Sequence, residues 1–514
     1  MRQLTALDAQ FLSGESATTA AHVAGLAVLD GAITRARLIE LLRERLHLAP
    51  PLRMRLADVP FGLDRPYWTE DPDFDVADHV YESIVPSADE LAAHVGRIHA
   101  RRLDRSRPLW EMHLIHGLGD GRVALYTKMH HAAIDGVSGA EILSSFLDLS
   151  PEPREVEPAP PATPTTAPDV RDMLANAVNR ALSQPMASVR SLSRAVADLD
   201  AIPVLSALPG ARRIARAARS MLGEKPVPDL PSLAAPRTPF NGPVSSRRSF
   251  AYGSVALADL KYVARTFGMS VNDVVMTVCA SALRAWLEER GSLPGQPLVA
   301  AVPVSIRSGR TGEGRNQISA MITPLATDVA DLKDRLTTVR ATMNAAKRRF
   351  AVSHTTWLND LCSALPAVLA RATPAVFRLA GLVTPGVNLI VSNVPGPQVP
   401  LYMSGARLLA YYPMSVLTDM TGGLSITCLS YDGNLDFGVV ACPSRVPDVW
   451  QVMDHIREAM TELVKLADAD HLDNESAPEP GNGGATDIRP TAGTARMRPR
   501  PAPTRAGRTP SPAR

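Results

Sequence analysis

His130 and His131 stand side by side in Lys128-Met129-His130-His131-Ala132-Ala133-Ile134-Asp135-Gly136, in a chain with 12 histidines among 514 residues. Histidine titrates near neutrality, so its ring suits the removal of a proton from a hydroxyl as that hydroxyl attacks a carbonyl. Neighbouring side chains on a strand point to opposite faces. The pair therefore divides its work, one ring toward a working space and one toward the scaffold. Asp135 can fix a loop or hold a tautomer, and Gly136 lets the backbone turn sharply or approach a ligand closely. The structural alternative is a strand end with both rings satisfied by backbone hydrogen bonds. A metal site fits poorly, since helix-borne ligands want spacing i and i+4 and no Cys/His cluster supplies the other positions. The sequence also lacks a GxSxG elbow, a Walker loop and a GxGxxG turn. Cys279, Cys362, Cys428 and Cys442 form no CxxC and read as small buried hydrophobes of a reduced, intracellular protein.

The elements that carry these residues follow from periodicity. "RVALYTKMHH" (122–131) reads as a strand and "SGAEILSSFLDL" (138–149) as a helix. "SVNDVVMTVCASALRAWLEER" (270–290) predicts a helix with Asn272 as N-cap and an apolar face through Val275, Val278, Ala282 and Trp286. "LVAAVPVSI" (298–306) predicts a strand, and 423–443 a hairpin turning at Asp432-Gly433.

Composition divides the chain into an N-terminal domain (1–150) and a Pro-rich linker with a helical crossover (151–239). A C-terminal domain (240–467) and a basic, Pro/Arg-rich tail (468–514), disordered by composition, follow. Two α/β portions joined this way suggest similar domains facing one another, with a substrate site in the cleft. Net charge is +2, which gives no field for nucleic acid. The N-terminus has no apolar h-region, and no window is long and apolar enough to span a bilayer, so a cytoplasmic protein is expected. Any membrane contact is then peripheral, at the inner face of the plasma membrane or on lipid droplets. "PGARRIARAARSMLG" (209–223) sets Arg212, Arg216 and Arg219 along one helical face, a pattern for an anionic lipid surface or for a crossover helix with a solvated Arg face.

The motif "HHAAIDG" resembles the signature of the acyltransferases related to chloramphenicol acetyltransferase. Further stretches narrow the resemblance: "LTALDAQFL" (4–12), "RPLWEMHLI" (107–115), "PRTPFNGPV" (236–244), "VND" (271–273), "PVSIR" (303–307) and "NLIVSNVPGP" (388–397). Together they look like the bacterial wax ester synthase/diacylglycerol acyltransferase family, over nearly the whole chain except the tail. The resemblance implies two chloramphenicol-acetyltransferase-like domains of mixed sheets and helices, facing each other across a tunnel. It implies transfer of a long-chain acyl group from acyl-CoA, the co-substrate, to diacylglycerol or a long-chain alcohol. No cofactor, metal or covalent acyl-enzyme is expected.

In that scheme His131 resembles the general base and His130 the structural support. Asp135 would make a structural salt bridge, with Arg307 as our choice of partner, and Gly136 would keep the tunnel floor bare. Pro108, Leu109 and Trp110 would shape the site or form an ordinary strand entry. Asn272 and Asp273 would stabilise it from behind as a helix cap, and Ser392 and Asn393 lie in a loop stiffened by Pro395 and Pro397. Two other readings stand beside this one: an acyltransferase fed by a carrier protein, and a lipid-binding protein that keeps the fold without catalysis.

Overall fold

Strand pairing explains how the histidine pair is held. The computed structural model describes residues 2–133, 144–158, 169–180, 211–221, 234–305, 318–352 and 386–476, with positions 142, 223 and 362. The first half supplies β1 (Arg2–Gln3), β2 (His22–Asp30), β3 (Met54–Ala57), β4 (Tyr67–Glu70), β5 (Val80–Ile84), β6 (Trp110–His116) and β7 (Arg122–His130). The second half supplies β8 (Ser249–Ala256), β9 (Leu298–Ser305), β10 (Ile318–Leu325), β11 (Leu389–Val394), β12 (Tyr402–Met403), β13 (Ala406–Met414), β14 (Leu424–Tyr431) and β15 (Asn434–Ala441). The helices used below are α1 (Ala6–Ser13), α2 (Arg35–Arg45), α3 (Leu91–His99), α4 (Ala211–Met221), α5 (Leu257–Thr266), α6 (Val271–Glu288), α7 (Leu332–Val352) and α8 (Val449–Ser476).

Two mixed six-stranded sheets dominate, in the orders β12-β13-β2-β7-β6-β5 and β10-β9-β11-β14-β15-β8, beside a small sheet β1-β4-β3. This is the expected α/β class with mixed sheets. Strand β7 is central, paired antiparallel to β2 on one side and β6 on the other. Its alternate residues therefore bury on both faces. Val123, Leu125 and Met129 enter one apolar cluster with Trp110 and Leu114, and Ala124 and Tyr126 enter another with Leu26 and Phe250.

The sheets do not respect the boundaries drawn from composition. Strands β12 and β13 lie within 240–467, yet β13 pairs antiparallel with β2, so the second portion lends strands to the first sheet. Without β13, the long edge of β2 would be open to further pairing. The β13 main chain also touches the second sheet. Tyr411 N–H donates to Asp436 Oδ2 on β15 at 2.8 Å. Both sheets accordingly belong to one compact unit, residues 1–470.

In the second half α6 carries Val275, Val278, Ala282 and Trp286 into the core, as its periodicity predicts. Its cap differs from the expectation. Ser270 is the N-cap and Asp273 completes a capping box, which leaves Asn272 inside the first turn. A serine two residues earlier wins because its hydroxyl reaches the Asp273 N–H while the Asp273 carboxylate reaches back. The hairpin turn at Asp432-Gly433 is as predicted, with φ of 40° and 85°, the left-handed pair of a two-residue turn.

Two further expectations change. Helix α8 runs to Ser476, past the predicted start of the disordered tail at 468, because "LVKLADADHL" keeps helix-forming residues beyond the core. On α4, Ala215 and Arg219 are buried while Ile214 and Met221 are 53% and 89% exposed. Arg219 therefore does not join a solvated arginine face. Among the described residues no single helix is long and apolar enough to cross a membrane. Helices α5 and α6 reach that length only together, across a 103° bend, and α6 is core.

Candidate active site

His131 follows the last residue of β7, where the N-terminal segment wraps back over the strand. Helix α1 begins with a capping box in which Thr5 and Asp8 satisfy each other's main-chain N–H groups. That start sets the helix phase, and Phe11 one turn later lies on His131. The ring centroids are 3.9 Å apart and the planes 15° from parallel. The His131 N–H donates to the Ala21 carbonyl at 2.8 Å. The candidate base is thus held by its main chain on one side and by an aromatic face on the other, and remains only partly buried.

His130 does the opposite. It is 1% exposed, and its N–H donates to the Leu109 carbonyl at 2.9 Å. Its ring Nδ1 accepts the Ala132 N–H at 3.0 Å, which assigns the ring proton to Nε2. That Nε2 lies 3.4 Å from the Glu15 carboxylate. Burial acts to raise the Glu15 carboxyl, but His130, the Ala21 N–H and Arg105 outweigh it and hold the group at about 2. The two rings thus differ in burial, His130 enclosed and His131 partly exposed.

Behind His130 the same face of β7 carries a buried polar layer. Tyr126 Oη and His99 Nδ1 are 2.8 Å apart. His22 Nε2–H donates to the His99 carbonyl at 2.6 Å. Burial, then the charges of Arg248 and Lys128, lowers His99 to about 3, and burial together with His99 lowers His22 well below its ordinary value. Both rings are therefore neutral at physiological pH. Lys128, fully buried, pairs with Glu111 at 3.1 Å and donates to the Arg101 carbonyl at 3.0 Å.

Pro108, Leu109 and Trp110 are all buried. Trp110 packs in the core, donates its indole N–H to the Leu52 carbonyl at 2.8 Å and stacks on His79. Leu109 is the link to the site, through its carbonyl on His130 and its side chain beside Leu12 and Ala132. A separate group forms at the second sheet. Asn393 Nδ2 donates to Asn272 Oδ1 at 3.2 Å, Cys428 Sγ lies 3.5 Å from the Ser392 carbonyl, and Asp273 pairs with Lys347 at 3.2 Å. Gly396 in the neighbouring loop has no room for a side chain, since a Cβ there would fall 2.3 Å from the Ser430 carbonyl oxygen. Asp135, Gly136 and Arg307 lie outside the described residues.

Sequence reasoning missed Phe11, Glu15, Ala21 and Arg105. The capping box in Thr5-Ala6-Leu7-Asp8 announced α1, but no local pattern says that its far end covers a strand terminus 120 positions later.

Comparisons with known proteins agree with this architecture. Residues 4–275 match the wax ester synthase/diacylglycerol acyltransferase catalytic domain, and residues 315–464 the WS/DGAT C-terminal domain. A Mycobacterium tuberculosis protein named as a diacylglycerol O-acyltransferase is 35% identical over 479 residues, 91% of each chain. A second one from that organism is 36% identical over 473 residues, covering 89% of this chain and 97% of the relative. The solved wax ester synthase/diacylglycerol acyltransferase from Marinobacter aquaeolei VT8 superposes with a TM-score of 0.65 at 27% identity, over 91% of this chain and all of that one. A β-sheet pair of this topology, with the histidine pair at the end of its central strand and the family's two domains matched in order, makes this chain a member of the wax ester synthase/diacylglycerol acyltransferase family and an acyltransferase.

Proposed function

We propose that the protein transfers a long-chain acyl group from acyl-CoA to the hydroxyl of diacylglycerol, giving triacylglycerol, and to long-chain alcohols, giving wax esters. His131 acts as general base. The observation that carries this reading is the position of His131. Its ring is stacked on Phe11 and its main chain is tied to Ala21, at the end of a rigid central strand. A fixed, partly exposed imidazole is suited to take the acceptor's hydroxyl proton as the oxygen attacks the thioester carbonyl. The tetrahedral intermediate then expels coenzyme A as thiolate. A thiol, at about 8.5, is a far stronger acid than an alcohol, so the sulfur leaves in preference. The imidazolium returns its proton to that thiolate, and His131 is ready for another cycle.

In the same reading His130 is structural, which its burial and its two main-chain bonds support. The Asn272–Asn393 pair braces the second half. The chemistry needs no cofactor beyond acyl-CoA as co-substrate. Because the acceptors and the ester products are nearly insoluble, we place the protein in the cytoplasm with peripheral contact to a membrane or droplet surface. The exposed Ile214 and Met221 beside exposed Arg213 and Arg216 on α4 support that contact.

The test is release of coenzyme A thiol by purified protein from palmitoyl-CoA, with diacylglycerol or hexadecanol as acceptor, beside His131→Ala. Acceptor-dependent release that the substitution abolishes supports the reading and ranks the two alcohols. No acceptor-dependent release, from folded protein that binds acyl-CoA, sinks it in favour of a carrier-protein donor or a lipid-binding role.

A further inference from the structure

Glu15 is buried, with 2% of its side chain exposed, and the chemistry above makes no use of it. Its Oε1 accepts the Ala21 N–H at 2.9 Å and faces His130 Nε2 at 3.4 Å. Its Oε2 accepts from Arg105 Nη2 at 2.7 Å and Nε at 3.2 Å. The segment between Glu15 and Ala21 is itself stiff, for Ser16 Oγ accepts the N–H groups of Thr18 and Thr19 and the Ser16 N–H donates to the Thr19 carbonyl.

Two of the three partners of Glu15, Ala21 and His130, lead to the main chain beside His131. The Ala21 residue whose N–H binds Glu15 offers its carbonyl to the His131 N–H. The His130 ring that faces Glu15 takes the N–H of Ala132 on its other nitrogen. The peptide units on both sides of His131 therefore converge on one carboxylate. An ionised carboxylate offers both oxygens as acceptors, one to the Ala21 N–H and one to the Arg105 guanidinium, while its charge faces the His130 ring.

We propose that Glu15 is a positioning residue for His131, fixing the main chain before and after it so that the ring stays on Phe11 in the orientation for proton transfer. This rests on His131 being the general base. Burial alone would favour a protonated carboxyl here. The opposing contacts hold it ionised throughout the working pH range, so the clamp does not loosen with pH.

The experiment compares Glu15→Gln and Glu15→Asp in the native chain and in a His131→Ala background, reading kcat and KM for palmitoyl-CoA with hexadecanol as acceptor. Gln keeps the shape and the Oε1 acceptor but sets an amide NH2 against Arg105. Asp keeps the charge but is one methylene short of Ala21 and His130. Each substitution is expected to lower kcat about 10- to 100-fold with KM changed by less than about twofold, since small misplacement of a base acts on turnover. In the His131→Ala background neither should lower the residual rate further, because there is no base left to position. Native kcat in Glu15→Gln, an equal fold-loss in both backgrounds, or a loss confined to KM overturns the proposal. Should Glu15→Gln not fold, Glu15→Asp decides by the same comparison. Full turnover in His131→Ala alone would instead remove the base assignment, an outcome read separately from the Glu15 variants.

Discussion

The ring of Phe11 lies flat on the imidazole of His131, with 3.9 Å between centroids and 15° between planes. An aromatic face restricts rotation of the ring and attracts the positive charge that the imidazole gains when it takes a proton. Such pairs are worth about 0.5–1.5 kcal/mol beyond their buried area. Phe11→Leu keeps the apolar bulk beside Leu12 and loses the face. It is expected to fold normally and to lower kcat roughly two- to tenfold, the rate equivalent of that energy. Steady-state kinetics beside a thermal melt checks it, and native kcat in the variant would show that the stack is packing alone.

Glu111 predicts an acid limit to stability. Burial acts to raise its carboxyl, but His113 and Lys128 hold it at about 2, and Glu15 is held equally low. A carboxylate whose folded value lies below its unfolded one contributes stability that is complete above the unfolded value and lost as pH falls toward the folded one. Here the window runs from about 4.5 down to about 2. The ceiling is roughly 3 kcal/mol for each group. Urea unfolding between pH 7 and 2.5 should show stability falling through that window. Glu111→Gln should flatten the slope, and an unchanged slope would mean that the Lys128–Glu111 pair does not govern acid sensitivity.

How much of this was legible follows from where the information sits. The strand "RVALYTKMHH" carries its own pattern, and so do α6 and the Asp432-Gly433 turn, because each is fixed by residues within a few positions. The different burial of His130 and His131 was expected from strand alternation, although His131 lies one residue past the end of β7. The contacts that hold His131 did not, because Phe11 and Glu15 are some 120 positions away and only tertiary packing brings them in. The exchange of β13 was likewise invisible. Nothing in "ARLLAYYPM" says which sheet receives it, since its pairing with β2 spans some 380 positions. Asn272 was misread as a cap because Ser270, equally capable, stands two residues before it and has the acid at the right spacing.

Asp436 predicts a substitution that should stabilise. It is 1% exposed, and burial raises its carboxyl to about 6 despite bonds from Ser254 Oγ at 2.6 Å and from the Tyr411 N–H. An acid whose folded value is raised above its unfolded one costs stability increasingly as pH climbs from the unfolded value to the folded one, and fully above that. Asp436→Asn removes the charge, with the amide oxygen in the place of Oδ2 accepting from the Tyr411 N–H and the amide NH2 in the place of Oδ1 donating to Ser254 Oγ. At pH 8 it should raise stability by roughly 1–3 kcal/mol, with the gain fading toward pH 4. Denaturant melts at both pH values decide it. Loss of stability at pH 8 would mean the charged form is needed to join β15 to β13.

The fit of β13 also depends on two glycines that leave no room beside it, one on β2 of its own sheet and one on β15 of the other. A Cβ on Gly438 of β15 would fall 1.9 Å from the Pro413 carbonyl oxygen, and one on Gly25 of β2 would fall 1.9 Å from Tyr411 Oη. The two obstacles differ in kind. At Gly438 the obstacle is main chain, so β13 and β15 must separate, whereas at Gly25 it is a side chain that can be removed. Gly25→Ala and Gly438→Ala should each destabilise by about 1–3 kcal/mol, the usual cost of overpacking. Adding Tyr411→Leu should relieve Gly25→Ala, so that the double variant is little worse than Tyr411→Leu alone, and leave the cost of Gly438→Ala in place. Urea midpoints of the native protein and the five variants test this by double-mutant cycle. Relief at Gly438 equal to that at Gly25 would mean that the Tyr411 ring, rather than the approach of the two main chains, keeps β13 and β15 apart.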